Sequence, residues 1–175
     1  MKITKKLSIA AACLTFFIGS AFAQTPKLTD PEVASVAVTA NQIDINYASI
    51  AKEKSKNADV IKFAQTMSND HKAVIAQAVT LVTRLKVTPK DNAVSQSLNA
   101  GAEKEKAVLR TKSGKDFDKA YIDNEVAYHK AVIGAVETVL IPNAQNAELK
   151  ALLEKVVPAL KAHLEHAEMV KKGLK

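Results

Sequence analysis

Cysteine is nearly missing from this chain, with Cys13 alone among 175 residues. If Cys13 departs with an amino-terminal leader, disulfides, thiolate metal ligands and cysteine nucleophiles are excluded together, and any chemistry falls to His, Asp, Glu and Tyr. Glycine and proline number five each and tryptophan is absent. With so little punctuation and no strand-like alternation, the chain is expected to form few, long and helical elements. G-x-S-x-G and a glycine-rich phosphate loop are both missing, and no spacing argues for a Ser-His-Asp arrangement, so hydrolase and nucleotide-binding functions have no support. Basic residues are not gathered into a stripe either. They alternate with acids, as in Lys52-Glu53-Lys54 and Glu103-Lys104-Glu105-Lys106, which reads as a solvated helix face and argues against nucleic acid as a partner.

What is present begins with an export signal. Lys2, Lys5 and Lys6 form a basic start, Leu7 to Gly19 an apolar run, and Ala21-Phe22-Ala23 a small-x-small cleavage site. The apolar run is shorter than the ~20 residues a spanning helix needs, so a cleaved leader (residues 1–23) is expected rather than an anchor, and the mature protein is expected in the periplasm without an integral membrane segment. Lipidation at Cys13 would leave only Leu7 to Ala12 as the apolar run, below the roughly 7 to 15 residues expected of one. Without the three leader lysines the formal charge falls from +7 to +4. A short extension (24–30) then leads into one domain (31–175), large enough to bury a core without staples.

Four long helices and one connecting helix are legible. The first is expected from Pro31 to Lys56, capped by Thr29 or Asp30 and opened by Pro31. The second runs from Ala58 to Val87, capped by Asn57; Val60, Ala64, Met67, His71, Val74, Ala78, Leu81 and Leu85 repeat at 4,3 spacing along it. The third runs from Lys115 to Ile141, between Gly114 and Pro142. The fourth runs from Ala144 to Lys172, with Pro158 expected to kink or break it. The connection 88–114, helical around Ala102 to Leu109, is long enough to return along the bundle and make helices two and three parallel. The fold class is therefore all-α: a four-helix bundle with a long helical crossover.

His71, His129 and His163 fall on core stripes of three different helices. Asp44 and Asp70 lie beside stripes, and Glu125 shares one with His129. At ~1.5 Å per residue, Asp44, His71 and His129 meet in one layer and Glu125 sits a turn away, while His163 stands about 10 Å off, level with Tyr121. Two chemistries suit such a layer. Each histidine can bond a carboxylate or tyrosine and so fix the register of the helices. Alternatively, imidazole and carboxylate together can hold one Zn, Fe or Mn ion, the set Asp44, Asp70, His71, Glu125, His129 and His163 supplying the ligands. A dinuclear oxidase is disfavoured because Glu-x-x-His occurs nowhere in the chain. His166, three residues after His163, falls at a stripe edge and reads as solvent-facing.

The run Phe63-Ala64-Gln65-Thr66-Met67-Ser68-Asn69-Asp70-His71, then Phe117-Asp118 with Tyr121 and His129, then Leu160 with His163, Leu164 and Ala167, resembles the bacterial domain-of-unknown-function family 4142. The resemblance covers about Asp30 to Lys172. It implies a ferritin-like bundle in an exported protein of unsettled function, with Phe63, Met67, Asp70, His71, Phe117, Asp118, Tyr121, His129 and His163 as motif positions. Asp44 stands where that family has a glutamate in the first helix. The sequence thus points to a non-enzymatic envelope protein whose polar layer specifies its fold and whose partner is another envelope protein or a second copy, with a metal-binding, redox or metal-storing bundle as the alternative.

Overall fold

The computed structural model describes residues 27–174; the expected leader and its cleavage site lie outside them. The described chain is helical throughout: α1 (Asp30–Lys54), α2 (Ala58–Arg84), α3 (Ala93–Thr111), α4 (Gly114–Ala135), a π-helical turn (Val136–Leu140), the single turn α5 (Ile141–Asn143) and α6 (Ala147–Gly173). No strand occurs among the described residues, and none of their helices is long and apolar enough to cross a membrane.

Short polar residues start these helices by satisfying amide groups that lack an intrahelical partner. Glu32 reaches back to the Thr29 amide (2.9 Å) and hydroxyl (2.8 Å) at the start of α1. Asn57, Asn92 and Asn146 each accept two backbone N–H groups at the starts of α2, α3 and α6. Gly114 opens α4 with φ of +55°, a conformation only glycine adopts without strain.

Bonds between helix ends fix the directions. At the start of α1, the Lys90 amide bonds the Pro31 carbonyl at 2.9 Å and Asn92 Nδ2 the Glu32 carbonyl at 3.2 Å. Asp30 accepts the Gln145 and Asn146 amides there at 2.8 and 3.0 Å. At the other end, Lys54 Nζ donates to the Arg110 carbonyl at 2.6 Å and Ser55 Oγ to Asp118 Oδ1 at 2.5 Å. α2 and α4 therefore run one way and α1, α3 and α6 the other, so α3 carries the chain back along α1. α1 packs against α2, α3 and α4, while α6 packs against α2 and α4.

Several bounds differ from expectation: α1 ends at Lys54 rather than Lys56, and α2 at Arg84 rather than Val87. α3 fills most of the connection. α6 begins at Ala147 rather than Ala144, because Ala144 to Asn146 form the turn that Asp30 holds. Pro158 neither breaks α6 nor ends it; it is exposed, so the carbonyl it leaves free faces water.

Two apolar clusters divide the core. Around the C-terminal end of α1 lie Tyr47, Phe63, Phe117 and Tyr121 with Met67 and Leu109, against which Tyr128 packs. Around its N-terminal end lie only aliphatic residues, among them Val33, Val36, Leu81, Leu149 and Leu153.

Candidate metal centre

The polar layer sits at the seam between those clusters. α1 supplies Asn41 and Asp44, α2 supplies Asp70 and His71, α4 supplies Glu125 and His129, and α6 supplies His163. Asp44 can be completely buried because α1 is covered on three sides, by α2, α3 and α4. His71 and His163 fall inward because each stands at 4,3 spacing between apolar residues, Met67 and Val74 in one case and Leu160 and Ala167 in the other.

All three histidines meet. Their ring centres are 5.8 Å apart for His71 and His129, 5.2 Å for His71 and His163, and 5.5 Å for His129 and His163. The expected displacement of His163 is thus corrected. The helix starts three residues later than the count assumed, which at ~1.5 Å per residue moves His163 by about 4.5 Å toward the layer.

Hydrogen bonds from outside the layer set each tautomer. Asn41 Nδ2 donates to the Ala37 carbonyl at 2.8 Å, which turns Asn41 Oδ1 toward His71 Nδ1 at 2.7 Å. His129 Nδ1 donates to the Glu125 carbonyl at 3.0 Å, and His163 Nε2 donates to Asp70 Oδ2 at 3.0 Å. Each acceptor takes one N–H, which in a neutral ring leaves the lone pair on the other nitrogen. These nitrogens, His71 Nε2, His129 Nε2 and His163 Nδ1, are buried without a hydrogen-bond partner, as are both oxygens of Asp44 and of Glu125.

Asp44 Oδ2 lies 3.4 Å from His71 Nε2 and 3.6 Å from His129 Nε2. Both distances are too long for good hydrogen bonds. They agree with the ~3.4 Å separating two atoms that are each ~2.0–2.1 Å from one tetrahedral ion. Ligand atoms of His71, His129 and His163 lie within 4.8 Å of one another, and so do those of Asp44, Glu125 and His129.

Burial shapes the charges. It lowers His71 to about 3, with the neighbouring His129 and His163 adding to the effect. It lowers His129 to about 4, against the bond to the Glu125 carbonyl. Both rings are therefore neutral, the form that ligates metal. Burial also raises Asp44 to about 7, and raises Glu125 well above the carboxylate range, with the charge of Asp44 adding to it.

Of the sequence-predicted residues, Asp44, His71, Glu125, His129 and His163 are brought together with their ligating atoms inward. Asp70 is not inside: its side chain is half exposed and bonds the outer nitrogen of His163. His166 stands apart, its ring edge-on to Phe63 at 5.1 Å. Among the motif positions, Phe63, Phe117 and Tyr121 pack the aromatic cluster, and Asp118 ties α4 to the end of α1 through Ser55. Asn41 escaped sequence reading. Its one signal is that it precedes Asp44 by three residues and so shares its face.

No curated protein and no solved structure matches this chain. Residues 19–170 match the family described as Domain of unknown function (DUF4142). The match spans nearly all of the chain and includes every residue of the polar layer, so the protein belongs to the DUF4142 family.

Proposed function

We propose that this protein is an exported, ferritin-like four-helix bundle that holds a single divalent metal ion, Zn, Fe or Mn, in its core. The carrying observation is the direction of the lone pairs. Three imidazoles are each held from outside by an acceptor, and their remaining nitrogens are buried beside one another and Asp44 without a hydrogen-bond partner. A network that served only to fix register would pair these atoms, because leaving a buried polar group unpaired costs ~1–3 kcal/mol. Metal-ligating histidines commonly donate their other N–H to a carboxylate or carbonyl, as His163 and His129 do here. Asp44 supplies the fourth ligand, and Glu125 stands beside it, its ligand atom within 4.8 Å of those of Asp44 and His129. The ring of contacts among α1, α2, α6 and α4, with α3 as crossover, supports the ferritin-like reading, and the basic, apolar start ending in Ala21-Phe22-Ala23 supports export.

Metal analysis of untagged protein tests the proposal. Near-stoichiometric Zn, Fe or Mn is expected, and added metal should stabilise metal-free protein by about 2.7 kcal/mol at one hundred times Kd. His71→Leu and His129→Leu should each abolish that gain. Purified protein that is free of metal, and that melts unchanged with all three ions, would return the layer to a structural role.

A further inference from the structure

The N-terminal half of the bundle contains a cavity of about 390 Å³ that begins at the histidine layer and runs toward the Leu140 and Leu149 end. Apart from Asn41, Asp44, Asp70 and the three histidines, its walls are aliphatic or alanine, with Tyr128 beside the layer. Two features of the walls keep it open. Small residues stand where larger ones would close it, for example Ala37 and Ala40 on α1, Ala78 on α2 and Ala159 on α6. The π-helical turn borders it with Val136 and Leu140, and Pro158 precedes the lining residues Ala159 and Leu160. A π-turn widens a helix locally and is common at ligand sites.

We infer that this chamber binds one unbranched acyl chain of roughly a dozen carbons, its polar head at the histidine layer. Length and volume agree on that chain. From His71 to Val82, both lining residues, α2 advances ~16 Å, close to an extended twelve-carbon chain. A methylene is about as large as a water, ~30 Å³, so 390 Å³ takes about a dozen. An apolar space of this size holds no ordered water, since nothing along most of its length can bond one. The only polar end is the layer, where the ring lone pairs accept a hydroxyl or carboxylic O–H. Asp70 lines the same cavity and is half exposed, so the head group lies near solvent. The inference does not depend on a metal, because the aliphatic walls hold the chain.

Calorimetric titration of the metal-free and the metal-loaded full chain with dodecanol and with dodecanoate tests it, the two probes separating a neutral head from an acidic one. One-to-one binding of at least one probe is expected. Affinity should rise about fourfold per methylene from eight to twelve carbons and then level off. Ala37→Leu and Ala78→Leu fill the chamber and should each weaken binding at least tenfold while keeping the parent circular dichroism and a cooperative melt. Failure of both probes, or unchanged affinity in two folded, filled variants, would overturn the inference. Metal binding at the layer would survive that outcome.

Discussion

The two halves of this bundle are built differently from similar helices. All five aromatic residues of the helical part, Tyr47, Phe63, Phe117, Tyr121 and Tyr128, belong to or pack on the cluster toward the C-terminal end of α1. Phe63 and Tyr121 meet edge-on with ring centres 6.1 Å apart, and Phe117 stacks on Tyr121 at 6.2 Å. The opposite cluster contains none of them, and there valine, leucine and alanine surround the cavity, which Tyr128 alone of the five borders, beside the layer. The difference teaches where rigidity and room are placed. Large rings fill one half, while the other half keeps space beside the same layer.

The comparison is broken most strongly from the packed side. Phe63→Ala empties a site with no solvent access and should cost ~3–5 kcal/mol, whereas Leu160→Ala, beside the existing cavity, should cost nearer 2 kcal/mol. Denaturant unfolding at equal m-value measures both.

Asp44→Asn sharpens the account of the seam. Burial raises Asp44 from 3.8 to about 7. In metal-free protein its contribution to stability is therefore whole below the ordinary carboxylate range and is lost as pH climbs through 7. The asparagine does not titrate, so the variant should gain on the parent by a few kcal/mol between about pH 4 and 7. With saturating metal the order should reverse, because the ion takes the carboxylate. Melting curves across that range, with and without metal, read both signs.

Adding volume separates the halves by a smaller amount. Ala64→Leu, wedged between Phe63 and Met67, should cost ~1–3 kcal/mol through overpacking. Ala37→Leu, facing the cavity, should change stability by less than ~1 kcal/mol or raise it. The smallest effect expected is at the end of the packed half, where Ser55→Ala removes the 2.5 Å bond to Asp118 and should cost about 1 kcal/mol by thermal melting.

The sequence was most legible where one face of a helix meets the core. The 4,3 spacing of α2 placed Val60, Ala64, Met67 and His71 correctly in the core, and Asn57 marked its start. α1 was harder to read, because cover by three helices buries residues around much of its circumference and weakens the stripe. About half of the error in placing His163 came from one boundary, although Asn146 followed by Ala147-Glu148-Leu149 carried the cap signal for a later start. The π-turn was not foreseen. Pro142 cannot donate to Thr138, and the wider turn lies just before it, but proline alone does not say how a helix will adapt. The cavity was illegible because alanine at helical spacing reads the same whether it faces a neighbour or a space.

The central claim is that three histidines and Asp44 converge on one ion, and titrating Zn, Mn and Fe(II) calorimetrically into metal-free protein tests it most directly. One site per chain is expected for at least one of these ions, accompanied by a higher melting temperature, with both effects lost in His71→Leu and His129→Leu. Heat and melting temperature unchanged by all three ions would contradict it.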